Sequence, residues 1–80
     1  MNDPLQKILA ERKRQDDTWG EQNHNDYCWL AILMEEVGET SSEMLEMNSE
    51  KMEEELVQVA AVSLAWLECL ERKRCADSRG

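Results

Sequence analysis

Residues 56–70 read LVQVAAVSLAWLECL, a stretch whose apolar side chains leave almost no polar face. A helix that is apolar on every side is buried on every side. Acidic residues precede the stretch (Glu50, Glu53, Glu54, Glu55) and basic ones follow it (Arg72, Lys73, Arg74), the order that a helix macrodipole favours. The segment reads as one helix over about 50–74, with Ser49 as its candidate N-cap after a break at Asn48-Ser49. One antiparallel partner covers only one flank of such a helix, so this stretch is expected to lie at a subunit interface. The tail, residues 75–80, is expected to fray.

Two further helices lie upstream. Trp29, Leu30, Ile32, Leu33, Val37, Met44 and Leu45 supply the apolar side of a helix over about 27–47. Gly38 interrupts it at a cost of about 1 kcal/mol relative to Ala, which close approach of another helix or of a ligand would explain. Residues 18–26, TWGEQNHND, form a connector rich in loop formers. Before it, Asp3 is a plausible N-cap, Pro4 suits the first helical position, and Leu5, Ile8 and Leu9 recur at helical spacing over about 3–17. The expected fold is therefore all-α and a single domain over residues 1–80. It is an N-terminal helix plus an antiparallel helical hairpin, with a four-helix-bundle core completed by oligomerisation.

Composition narrows the function. Eighty residues bury a limited fraction of their surface, so a homodimer or homotetramer is expected on size alone. The net charge of −9 argues against direct binding to a nucleic-acid backbone, which takes Lys and Arg. Phosphates can still be handled if divalent cations stand between them and carboxylates. Cys28, Cys69 and Cys75 form no CxxC spacing and cannot all pair within one chain. The N-terminus has no apolar signal region and no run is long enough to span a membrane, so a cytoplasmic location with reduced thiols and no membrane partner is expected.

The carboxylates carry the chemistry. Glu36 and Glu39 are three apart and share a helix face, on which Glu43 extends the row. If the chain turns near Asn48-Ser49, Glu39 and Glu55 lie about 13 Å and 9 Å from the hairpin end, at 1.5 Å per residue. An antiparallel hairpin then brings Glu36, Glu39 and Glu55 to comparable heights, an oxygen-rich site suited to Mg²⁺ or Mn²⁺. Glutamates on helices are more often a solvated face, and Glu43, Glu46, Glu50 and Glu53 read that way. Glu35, Glu36, Glu39, Glu54 and Glu55 differ in being embedded beside Leu33, Val37, Leu56 and Val57.

The string Glu35-Glu36-Val37-Gly38-Glu39, followed by Glu54-Glu55-Leu56-Val57-Gln58, resembles the ExxE…ExxD signature of the all-α nucleoside triphosphate pyrophosphatases. That superfamily includes MazG and the dimeric dUTPases. The segment DDTWGEQNH also looks like the one preceding the first motif in short MazG-like proteins. The resemblance implies Mg²⁺ held by Glu36, Glu39 and Glu55. It also implies a (d)NTP substrate cleaved to (d)NMP and pyrophosphate, in nucleotide-pool housekeeping, with Glu35 as auxiliary ligand or water-orienting group.

Gln58 stands where the resemblance expects Asp, and as a ligand it offers only a neutral carbonyl oxygen. Three readings stay open: a weakened site, a site completed by Glu54 or Glu35, or a non-catalytic nucleotide-binding or helix-bundle interaction module. Trp19 and Trp29 are candidates to stack on a base, with His24 or Asn25 bonding to its edge; the alternative makes Trp19 a loop anchor and Trp29 core. Lys13, Arg14 and Lys51 are candidates for phosphate, or ordinary helix surface.

Overall fold

The structure, a computed structural model, describes residues 3–79, with side chains as far as Asp77. It is all-helical: α1 spans Pro4–Trp19, α2 Asp26–Leu45 and α3 Ser49–Arg79, and no strand occurs among the described residues. α1 and α2 both pack on α3, which lies between them. No helix among the described residues is long and apolar enough to cross a membrane.

Each helix start has a local cause. Asp3 caps α1 in a capping box: its carboxylate accepts from the Gln6 amide at 2.8 Å, and the Gln6 side chain accepts from the Asp3 amide at 3.2 Å. The Asn25 side chain caps α2 by accepting from the Cys28 amide at 2.9 Å. The cap of α3 is Asn48 rather than Ser49: its side-chain oxygen accepts from the Lys51 amide at 3.2 Å, and Ser49 is already helical. α3 also runs to Arg79, beyond the expected end near Arg74, because residues 75–79 contain no Gly or Pro to stop it.

The α2–α3 turn closes around a left-handed Met47, with φ 60°. The Asn48 amide bonds back to the Glu43 carbonyl at 3.0 Å and the Met47 amide to the Met44 carbonyl at 3.1 Å. This is the Schellman arrangement, which normally places Gly where Met47 stands. The end of α1 does use glycine, Gly20 with φ 71°. Gly38 is different: a Cβ there would meet open space, so no neighbouring helix explains it.

The core is small. Trp29 of α2 is almost fully enclosed and lies among Val62, Ala65 and Cys69 of α3, with Ile32, Leu33 and Trp66 packed around them. Burying an indole of this kind removes about 200 Å² from water, worth about 5 kcal/mol. Ala61 and Ala65 are the small residues at the buried centre of α3. The hairpin is antiparallel: Trp66 Nε1 donates to Asp26 at 3.0 Å at one end, and Glu55 meets Glu36 and Glu39 towards the other.

Polar contacts dock α1 and the connector. The largely buried Arg12 guanidinium donates to Glu68 of α3 and, at 2.9 Å, to Asp16 of its own helix. Lys7 pairs with Glu53 at 3.4 Å. Arg72 donates to the Gln22 carbonyl at 2.9 Å and to the Asn23 side chain, and Lys73 donates to the His24 carbonyl at 3.1 Å, so the end of α3 holds residues 22–24 in place.

Candidate functional site

The antiparallel hairpin sets carboxylates of α2 against one of α3. Glu36, Glu39 and Glu55 each present an oxygen, and these three oxygens lie within 4.8 Å of one another. Glu36 and Glu55 are half-buried and Glu39 is exposed. One oxygen of Glu55 is buried with no hydrogen-bond partner. A buried polar atom left unpaired costs free energy, which a proton or a cation would recover.

The electrostatics follow from this crowding. Burial, then hydrogen bonding to Glu39 and Glu36, pushes the Glu55 carboxyl up to about 7. Glu36 is also raised, first by burial and then by the charge of Glu39. Three carboxylates this close cannot all ionise freely, so without a cation Glu55 holds a proton that it shares with its neighbours. The donor set is all oxygen, hard and dense, which suits Mg²⁺ or Mn²⁺ better than Zn²⁺.

The other anticipated residues are placed differently. Glu35 is exposed beside the cluster and acts on it through its charge, raising Glu36. Gln58 is turned toward α1: its side-chain oxygen accepts from Gln15 at 3.3 Å. Glu43 departs from the solvated-face expectation, since it is half-buried with one oxygen buried and unpaired. Glu46, Glu50, Glu53 and Glu54 are exposed.

Trp29 is core, so its ring has no open face for a base. His24 packs edge-on against it, with ring centroids 4.8 Å apart, and Trp29 lies about 10 Å along α2 from Glu36 at 1.5 Å per residue. Trp29 nevertheless borders the same cleft as Glu36, at its enclosed end. Trp19, by contrast, is 66% exposed. It stands on the rim of a cleft of about 200 Å³ between the helices, together with Arg14 and Gln15 of α1, Glu36 of α2 and Gln58 of α3. Lys51 is exposed in the first turn of α3, one turn before Glu55. Lys13 pairs with Asp17 at 2.8 Å.

Arg14, a phosphate candidate from the sequence, borders this cleft with Gln15, which no sequence pattern marks because nothing in α1 reveals which flank of α3 it takes. Arg14 is held by Glu11 at 2.6 Å, so it is a cation already oriented near the cleft. Compared with protein-family models, curated proteins and solved structures, the chain matches none.

Proposed function

We propose that this protein is a metal-dependent nucleoside triphosphate pyrophosphohydrolase of the MazG kind, converting (d)NTP to (d)NMP and pyrophosphate as a homodimer or homotetramer in the cytoplasm. The observation that supports the reading is the gathering of Glu36, Glu39 and Glu55 oxygens within 4.8 Å across two helices. The buried, unpaired Glu55 oxygen fits a cation ligand. When bound, Mg²⁺ or Mn²⁺ would neutralise phosphate charge and lower the pKa of a coordinated water.

The chain's own residues then divide the work. Glu36 and Glu39, on one face of α2, would hold the cation, and Glu55 would close the site from α3. Glu55, which would give up its proton when a cation binds, adds the charge of a third carboxylate to the ligand set. Glu35 adds negative charge at the edge, in reach of solvent. Arg14 and Trp19, lining the cleft that reaches Glu36, are placed to meet a phosphate and a base.

One observation favours a second reading, a nucleotide-binding or helix-bundle interaction module without turnover. Gln58 supplies no carboxylate and its oxygen accepts from Gln15, which leaves three acidic ligands rather than four. Pyrophosphate release from a panel of dNTPs and NTPs, with Mg²⁺ or Mn²⁺ and with chelator, separates the two. Metal-dependent release that disappears in Glu36→Gln and Glu39→Gln supports the enzyme. Metal-dependent thermal stabilisation with no release from any nucleotide supports the module.

A further inference from the structure

α1 is held differently from the other two helices. None of its residues is buried, and among the described residues no Cα of α1 comes within 8 Å of one in α2. Its seat on α3 is the half-buried row Lys7, Ile8, Glu11, Arg12 and Gln15, in which Ile8 is the only apolar side chain. Polar links cross that seat: Lys7 to Glu53 at 3.4 Å, Gln15 to Gln58 at 3.3 Å, and the Arg12–Glu68 ion pair. α2, by contrast, is locked to α3 by the enclosed Trp29. Clefts of about 520 Å³ and 230 Å³ run along the α1 seat, one beside Glu11 and Glu54 and the other beside Ile8 and Leu56. A segment with polar anchors and few buried apolar contacts is the part of a fold that opens most readily.

The far end of α1 has a joint. Arg72 and Lys73 hold residues 21–24 to α3, which leaves Gly20 between that fixed connector and the helix. Gly20 has φ 71° and ψ −167°, a conformation essentially confined to glycine, and no atom lies near the place a Cβ would take. A few residues at the end of an element, so placed, absorb the dihedral change of a hinge.

What α1 carries bears on the cleft at Glu36. Arg14, Gln15 and Trp19 are its part of that wall, and Arg14 is oriented by Glu11 of the same helix, so the pair moves with α1. The cleft encloses about 200 Å³, whereas pockets that hold small organic ligands run from roughly 300 Å³ upward. With α1 seated, a nucleotide has too little room beside Glu36.

We infer that α1 is a lid. It swings about Gly20 off its polar seat to admit a ligand, and it returns to bring Arg14 and Trp19 over Glu36. The use of the motion rests on the ligand site proposed above; the motion itself is a property of the free protein.

The test is the separation of two nitroxide labels, read by pulsed electron paramagnetic resonance, at Leu5→Cys of α1 and Leu45→Cys at the end of α2. Both positions are exposed, at 62% and 79%. The exposed Cys28 and Cys75 are replaced by Ser, and Cys69 is buried away from the label. Labelled chain is diluted into unlabelled chain, so that each pair reports on one molecule. Leu5 lies about 22 Å from Gly20 at 1.5 Å per residue, so a swing of about 30° displaces it by about 11 Å. Two separations are expected in the free protein. The longer one should gain about fivefold in population at high salt, or in Glu68→Gln, which cuts the Arg12 anchor. A single separation, or proportions that respond to neither salt nor Glu68→Gln, overturns the lid. Mg²⁺ with each dNTP in turn is expected to draw the population to the shorter separation. Saturable nucleotide binding to a protein with one separation removes the lid and leaves the proposed function standing. Two salt-dependent separations with no nucleotide bound do the reverse. Should the labelled chain fail to fold, amide hydrogen exchange of the wild type decides, since a detached helix of 16 residues is only marginally stable in water. Exchange in α1 that is faster than in α2 and accelerated by salt supports the lid; exchange in step with α2, or indifferent to salt, overturns it.

Discussion

Replacing Glu55 with glutamine changes one atom's protonation and little else, and its effect on stability has a definite sign. The Glu55 carboxyl sits at about 7 in the folded chain against an ordinary value of 4.5. A carboxyl raised on folding stabilises the fold while protonated. That contribution is complete below 4.5 and is lost as pH rises through about 7. The full shift would correspond to about 3 kcal/mol, and because Glu55 is partly open to water, screening reduces this to about 1–2 kcal/mol. Glu55→Gln mimics the protonated form at every pH. Without metal, the variant should match the wild type below about pH 4.5 and exceed it by about 1–2 kcal/mol above about pH 8, a rise in melting temperature of about 5–10 °C. Calorimetry or circular dichroism in chelator, across that pH range, measures it. A difference that does not vary with pH, or a variant less stable than the wild type at high pH, would refute the reasoning that the three carboxylates repel one another.

Smaller substitutions test the scaffold. Gly38→Ala should stabilise α2 by about 1 kcal/mol in chemical denaturation, since the added Cβ meets open space and helix propensity improves. Met47→Gly relieves a left-handed non-glycine residue at the α2–α3 turn and should stabilise by about 0.5–1 kcal/mol, read in the same way. Arg12→Met keeps the stem but removes the guanidinium that ties α1 to Glu68. A loss of about 1 kcal/mol, with faster hydrogen exchange in α1 than in α2, is expected.

Much of the architecture follows from periodicity. The apolar repeats of residues 29–45 and 56–70, with polar breaks at 18–25 and at Asn48-Ser49, place three helices to within a few residues. The height argument for a hairpin turning near Asn48 also brings Glu36, Glu39 and Glu55 together, because rise per residue is a backbone constant. What escaped depends on side-chain choice and on tertiary packing. Asn48 and Ser49 are both good caps, and only the geometry of the turn selects Asn48. Trp19 and Trp29 read alike in sequence, yet α3 encloses one and leaves the other in solvent. The orientation of Gln58 depends on where α1 lies, which the sequence of α3 does not encode. The apolar stretch 56–70 reads as buried on every side, yet Leu56 and Leu67 within it are exposed, as are Leu30 and Met34 of α2.

The most direct test of the account is a calorimetric titration of the protein with Mn²⁺ and then Mg²⁺ at neutral pH, alongside Glu36→Gln and Glu39→Gln. One strong site per chain is expected in the wild type, with proton release on binding as Glu55 ionises, and loss of that site in both variants. No saturable binding to the folded wild type, or binding unchanged in the variants, would contradict it.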